Sequence, residues 1–263
     1  MKASRLAVVP ASLLVAVAVW EIVATRRYAD AVPDDVGWSR AASVVRQAYR
    51  PGDLIVFAPA WADPIGRLHL GDLIPLEMAG RMDSARYGRI WQLSIRDAVA
   101  PDVAGLAPVE DHEIDGVTVR RYERAPAVVV ADVVDAFATA RRDGGAAHVE
   151  LAEVAFEPHR CVVVAALPDK PVRVTFPNLA LGSELVGYVG IADVFTRRDS
   201  REPVELTVEI AGATTATATA PIDRWVRFRA ATAPGVADVA FAIRWTGRSA
   251  QPKQVCFAAE ARR

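Results

Sequence analysis

The sequence lacks the local motifs by which a catalysed reaction could be identified. It contains no GxSxG, HExxH, P-loop or GxGxxG pattern, so serine-hydrolase, zinc-protease and nucleotide chemistry have no signature here. We therefore predict no cofactor, no metal site and no assignable catalytic residue, and we treat an enzyme as the second possibility. The four histidines show no metal-ligand spacing: His69, His112, His148 and His159.

The chain also lacks an excess of charge of either sign. Lysine and arginine number 31 against 32 aspartates and glutamates, which gives a net charge of −1. Without a basic face, nucleic acid is not an expected partner. The composition, 52% hydrophobic and 24% charged, is typical of a folded globular protein.

Cysteine is scarce, with only Cys161 and Cys256 in the chain. Each lies in a strand-like run, HRCVVVAAL and KQVCFAAEA. In an exported protein a disulfide is the natural interpretation, and it would close a loop of roughly 95 residues. Two buried free thiols are the alternative.

A long apolar segment lies near the N-terminus. Residues 6–20 carry no charge and Arg26-Arg27 follow them, so the run just reaches the roughly 20 residues that a membrane span needs. We predict an uncleaved anchor over residues 1–27 that holds a single-pass protein in the inner membrane, with its bulk periplasmic or extracellular. A signal peptide cleaved at small-x-small sites and a buried core helix remain alternatives.

Sequence periodicity divides the rest of the chain. After a tether over residues 28–36, alternating helical and strand-like segments predict a small α/β layer domain over 37–145. From residue 148 the period changes to two, which predicts an all-β sandwich of jelly-roll type over 146–263. The predicted fold is thus an α+β, two-domain protein behind a membrane helix. Predicted segments of the first domain are helices over 39–49, 70–79 and 126–142, and strands over 53–58, 89–95 and 117–122.

The best candidate binding residues follow the first predicted strand. Pro59 and Pro64 end that strand, and ligands of open α/β sheets bind at the carboxyl ends of strands. A tryptophan face with nearby carboxylates suits a sugar; the simpler interpretation is a loop fixed by tryptophan packing, with exposed charges. If the chain were an enzyme, the acidic residues and the histidine would be its acid/base candidates. The ligand-binding candidates are Trp61, Asp63, Arg67, His69 and Asp72.

Two further groups have simpler explanations. An acidic cluster surrounds His112 at residues 110–115, and we interpret it as a solvated loop. Aromatic residues of the sandwich are expected mainly in its core, although one or two could form an exposed stacking platform. They are Tyr188, Phe195, Trp225, Phe228, Phe241 and Trp245.

Three segments of the first domain carry a family resemblance. YRPGDLIVFAPAWADPIGR (49–67), RIWQLSIRDA (89–98) and VTVRRYER (117–124) resemble the extracytoplasmic soluble region of bacterial polytopic glycosyltransferases of the protein-mannosyltransferase type, over about residues 37–125. The family's catalytic acidic residues lie between many membrane helices, so none carries over to a chain with one such helix at most. The resemblance implies a detached accessory domain.

We therefore predict a non-enzymatic, membrane-anchored envelope protein that binds a glycan or a partner such as a membrane glycosyltransferase. The alternatives are an envelope glycan hydrolase or transferase, and a purely structural envelope protein.

Overall fold

A computed structural model describes residues 4–30, 32–168, 170–192, 203–221, 224–245 and 252–263, with side chains described from residue 12 and not at residue 30. The chain divides into two compact units. The first is Met1–Ile74 with Arg89–Arg124, and the second is Pro75–Gly88 with Ala125–Arg263. The domain boundary predicted at residue 145 lies inside the second unit.

The described residues form four α-helices. They are α1 (Ser4–Asp30), α2 (Asp35–Ala48), α3 (Asp63–Leu70) and α4 (Leu76–Ala79). Over that part of the chain, none of the helices combines the length and the hydropathy needed to cross a membrane. The predicted span falls partly on residues 4–11, whose side chains lie outside the description. The predicted membrane helix thus has no support here, and the predicted location stays a prediction.

The first unit contains one four-stranded sheet. Its strands are β1 (Leu54–Ala58), β2 (Arg89–Ser94), β3 (Pro108–Ile114) and β4 (Val117–Glu123). They run in the order β1-β2-β4-β3, with β1 and β2 parallel and the other pairs antiparallel. The strands predicted from apolar runs are present. The loop predicted around His112 is instead β3, because its charged side chains lie on an exposed edge strand and pair with arginines of β4.

Helix α2 begins four residues before the predicted start at Ser39. The side chain of Asp34 accepts a hydrogen bond from the backbone N–H of Gly37 at 2.8 Å, which caps the helix and allows it to begin at Asp35. Its buried face carries Trp38, Ala41, Ala42 and Val45.

The segment after β1 is helical where a loop was expected. Pro64 occupies the first turn of α3, where its missing N–H needs no partner. Gly66 faces the ring of Phe57, and a Cβ at that position would lie 2.0 Å from a ring carbon. Pro64 therefore lies at the start of a helix, and Gly66 lets that helix lie close against β1.

The second unit is a β-sandwich. Its described strands are β5 (Val129–Asp132), β6 (Arg141–Asp143), β7 (Ala147–Val154), β8 (Glu157–Ala166), β9 (Val172–Leu181), β10 (Glu184–Ile191), β11 (Val204–Ile210), β12 (Ala213–Ala220), β13 (Val226–Ala231), β14 (Gly235–Arg244) and β15 (Lys253–Arg262). One sheet has the order β13-β10-β15-β8-β7 with β5 also paired to β15, and the other has the order β12-β11-β14-β9-β6.

The helix predicted over residues 126–142 is wrong. The segment forms β5, a 3-10 turn at Asp135–Thr139, and β6. The apolar residues at 130, 133, 134 and 137 fit a helical stripe, but β-branched residues also favour strands. Ala131 pairs with Ala261 on β15, so a partner distant in sequence favours the strand.

The predicted disulfide is confirmed. Cys161 on β8 and Cys256 on β15 are bonded, and both are fully buried. Because β8 and β15 are neighbours in one sheet, the bond joins adjacent strands that lie far apart in sequence.

Candidate functional site

The five predicted ligand-binding residues lie on and around α3. Trp61 is 55% exposed, and the guanidinium of Arg96 lies 5.8 Å from the centre of its ring. Asp63 and Arg67 form an ion pair one helical turn apart, at 2.5 Å.

His69 and Asp72 contact residues of α2. The Nε2 atom of His69 lies 3.2 Å from a carboxylate oxygen of Asp35. Both oxygens of Asp72 accept hydrogen bonds from Arg46, at 2.5 and 2.7 Å, and this guanidinium lowers the pKa of Asp72. Both predicted carboxylates therefore already accept from arginines, and a shared ligand site for the five residues stays a prediction.

The acidic residues around His112 also face arginines. Arg121 donates to Glu110 and Arg120 donates to Asp111, and the hydrogen bond from Arg121 lowers the pKa of Glu110. Within the described ranges, no group of three or more His, Cys, Asp or Glu residues could hold a metal ion.

The aromatic residues of the sandwich separate into two groups. Phe228, Phe241 and Trp245 are buried. Tyr188 and Trp225 are half-buried, and Tyr188 projects from the outer face of its sheet because its neighbours Leu185 and Val189 alternate into the core. Phe195 lies outside the described residues.

The segment Pro75–Gly88, which we call the strap, covers part of this outer face. Three of its consecutive carbonyl oxygens are bonded to the sandwich: Gly80 accepts from the N–H of Arg160 at 2.7 Å, Arg81 is bonded to Nδ1 of His159 at 3.1 Å, and Met82 accepts from Nε1 of Trp225 at 3.3 Å. A Cβ at Gly80 would lie 3.0 Å from the Arg160 nitrogen, so glycine permits this close approach.

Three stacked rings lie beside the strap. Trp225 is parallel to His159 with centroids 4.5 Å apart, and parallel to Tyr188 with centroids 5.8 Å apart. Burial lowers the pKa of His159. The stack therefore combines a buried imidazole with two partly exposed aromatic side chains.

Charged groups join the strap to β15 and β5. Arg262, almost fully buried, donates to Asp83 of the strap at 2.8 Å and lies 2.8 Å from Glu260. Arg86 of the strap lies 3.1 Å from Glu260 and 3.5 Å from Asp132. Buried carboxylates need compensating positive charge, and Arg86 and Arg262 supply part of it here.

The two carboxylates opposite each other in this network are only partly neutralised. Glu260 pairs directly with Asp132 across β15 and β5. Burial raises the pKa of Asp132 and that of Glu260, against the lowering effect of Arg86.

A recess of about 80 Å³ opens between the strap and the sheet. We call it the cleft. Its rim carries an ion pair between Arg160 and Asp135 at 2.8 Å. Its lining is Glu77, Gly80, Arg81, Met82, Asp83, Arg86, Asp132, Val134, Asp135, Arg160, Ala258 and Glu260. The walls thus offer guanidinium donors and carboxylate acceptors within one small concave surface.

No sequence motif indicated the cleft. Its residues come from four stretches, near positions 80, 133, 160 and 260, and only the folding of the strap onto the sandwich unites them. The sequence predicts Trp225 as a possible stacking platform, but no local pattern connects it to residues 80–83.

Comparison with known proteins gives distant structural similarity only. No protein-family model matches the chain, and no curated protein matches it, so the resemblance of residues 37–125 to mannosyltransferase-type proteins has no support. Among solved structures, the chain is similar to the CBM51-2 and INT domains of Clostridium perfringens ZmpB in a GlcNAc complex, with 12% identity over 65% of this chain and 40% of that one, at a TM-score of 0.39.

Two other solved structures show similar values. Tandem CBM51 modules of a family 98 glycoside hydrolase from Streptococcus pneumoniae match at 10% identity over 46% of this chain and 40% of that one, with a TM-score of 0.33. A CBM51 module from a Clostridium perfringens GH95 protein, in complex with methyl-galactose, matches at 9% identity over 51% of this chain and 99% of that one, with a TM-score of 0.35. The chain spans less than half of the first two proteins, and TM-scores this low carry no argument about function.

Proposed function

We propose that the chain is a non-enzymatic glycan-binding protein whose site is the cleft of the second unit. The observation that carries this proposal is the mixture of polar groups on the cleft walls. A guanidinium has more N–H donors, and a carboxylate more acceptor sites, than one ion pair uses. Arg86 and Arg160 can therefore also donate to a ligand, and Asp132 and Asp135 can accept from it. Sugar hydroxyls both donate and accept, so convergent groups of both kinds suit a polyhydroxylated ligand.

The aromatic stack supports the same class of ligand. Met82 lines the cleft and accepts the hydrogen bond of Trp225, and Ala258 lines the cleft and pairs with Tyr188 across two strands. The partly exposed rings therefore lie next to the polar recess. Aromatic side chains present an apolar body with a polar tip, which suits the C–H face and the hydroxyl edge of a sugar ring.

Binding is favoured over hydrolysis by the way the carboxylates are held. Glu260 accepts from Arg262 and lies near Arg86, and Asp132 accepts from the backbone of Val134. A general acid or base must be free to exchange a proton with the substrate, whereas these groups are engaged in holding the strap to the sheet.

The proposed setting is the cell envelope. The buried Cys161–Cys256 disulfide supports it, because disulfides persist mainly in oxidising compartments. The proposed partner is a membrane glycosyltransferase that handles the same glycan. Alkylation of thiols in intact cells tests the first point, since a reduced pair would place the chain elsewhere, and co-purification from solubilised envelopes tests the second.

A glycan array probed with the full chain in detergent tests the binding function. We expect saturable binding to a defined set of glycans. The double variant D135N/R160Q should lose this binding, because both rim groups lose their charge while the pair is exposed enough to cost little stability. The variant W61A should keep it. Absence of binding to any glycan, or equal loss in both variants, would contradict the proposal.

A further inference from the structure

An apolar surface of the first unit is left uncovered around α3. Trp61 lies two residues before the helix, and Pro64 and Leu68 follow it by three and by seven residues, on the same exposed side. Leu68 is 82% exposed. The opposite side of the helix carries the buried residues: Ala62, Gly66 and Leu70. The helix is therefore apolar on both sides, and the large apolar side chains of its outer face are exposed.

Arg96 connects this face to the end of α1. Its guanidinium lies 5.1 Å from the ring centre of Tyr28 and donates to the Tyr28 carbonyl oxygen at 3.2 Å, while also lying over the ring of Trp61. Tyr28 is 65% exposed. Two exposed aromatic rings thus share one cation, at the point where α1 meets the rest of the unit.

The described large apolar side chains of α1 are also uncovered, from Leu13 to Val23. The surface around α3 therefore lies next to a helix whose described large apolar side chains are exposed. Basic residues border the junction: Arg26, Arg27, Arg67 and Arg96. The acidic residues nearest in sequence are Asp30, Asp63, which pairs with Arg67, and Asp97, so the arginines outnumber the carboxylates by four to three.

We propose that this surface, comprising Tyr28, Trp61, Pro64, Leu68 and Arg96, rests on the headgroup layer of an anionic lipid bilayer. Tryptophan and tyrosine side chains combine an apolar ring with a polar edge, and they are enriched at the headgroup level of membranes. Arginines attract anionic headgroups. A glycan is a poorer fit, since the outer face of α3 offers leucine and proline in place of hydrogen-bonding groups. In a symmetric contact with a second copy, the arginines of this surface would face one another.

A single-cysteine label tests this assignment in the full chain. The native cysteines form a buried disulfide, so L68C supplies one reactive thiol. The matched control V236C lies on β14 of the second unit and is 65% exposed. Each variant carries an environment-sensitive fluorophore and is reconstituted with vesicles of phosphatidylglycerol and phosphatidylcholine, or of phosphatidylcholine alone.

We expect the label at position 68 to shift its emission to the blue and to be quenched by brominated lipid, more strongly with the anionic vesicles. The label at position 236 should stay accessible to aqueous iodide. An unshifted label at position 68, or equal shifts at both positions, would overturn the proposal. Protection of position 68 in detergent that grows with protein concentration would assign the surface to a second copy instead, and protection by soluble glycan alone would assign it to a sugar.

Discussion

His159 and Trp225 stack with their ring planes 9° apart and their centroids 4.5 Å apart, and the two residues bond to consecutive carbonyl oxygens of the strap. His159 lies on β8, whereas Trp225 immediately precedes β13, and the two residues are 66 positions apart in the sequence. The stack therefore does two things at once. It packs two rings against each other, and it fixes the position of Arg81 and Met82, which form one wall of the cleft.

Replacing Trp225 should loosen the strap. We expect W225L to lower the free energy of unfolding by about 2 kcal/mol, because a half-buried ring, its stacking and one hydrogen bond are lost together. Urea denaturation measures the loss. W225F should retain the stack and cost only about 1 kcal/mol. The control W61L, at an exposed position, should change stability by less than about 0.5 kcal/mol; equal losses for W225L and W61L would show that the stack does not stabilise the strap.

Acid should destabilise the protein through His159. Because burial holds its folded-state pKa below the ordinary 6.5, the unfolded chain binds a proton more readily than the folded chain. The stability contributed by the neutral imidazole is complete above pH 6.5 and is lost as pH falls from there through the lowered pKa.

The variant H159F isolates this effect, since it keeps a ring against Trp225 and cannot titrate. Thermal unfolding at about pH 7.5 and about pH 5 should show a drop for the wild type that exceeds that of H159F by on the order of 1 kcal/mol. A drop of the same size in both proteins would mean that other groups cause the acid sensitivity.

Removal of the disulfide should cost more than any single surface change. The bond closes a loop of 95 residues, so the chain-entropy model gives about 4 to 5 kcal/mol. The double variant C161A/C256A, compared with the oxidised and the reduced wild type in urea, measures this cost. Equal stability of the oxidised and reduced proteins would contradict the expected role.

Two aspartates of the first unit should respond very differently to truncation. Asp53 is buried and accepts from Nε1 of Trp91 and from the backbone of Arg50, both at 3.0 Å, so D53A should cost about 2 to 4 kcal/mol by leaving buried donors without partners. D63A removes a partly exposed helical pair with Arg67 and should cost less than about 1 kcal/mol. Chemical denaturation of both variants measures the two losses of stability. Comparable losses would contradict the expectation that the Asp63 pair contributes little.

Local patterns in the sequence predict much of the fold. Apolar runs predicted β1, β2 and β4, the change of period predicted the sandwich, and the two cysteines predicted the disulfide. These features depend on residue types whose preferences agree with their final surroundings.

Other elements depend on partners distant in sequence. Strand β3 carries the charges of a solvated loop, and only the arginines of β4 show why they belong on a strand. The valines before Asp132 fit a helix or a strand, and pairing with β15 decides between them. The cleft is the extreme case, since Asp83, Asp132 and Glu260 meet only after the strap has packed on the sandwich.

The most direct measurement is calorimetric titration of the full chain with a glycan that it binds on the array. We expect D135N/R160Q to weaken the affinity by about tenfold or more, which corresponds to about 1.4 kcal/mol or more. The control R141Q/D238N removes a comparable exposed pair on the other sheet and should leave the affinity unchanged. Unchanged affinity in D135N/R160Q, or equal weakening in the two double variants, would contradict glycan binding in the cleft.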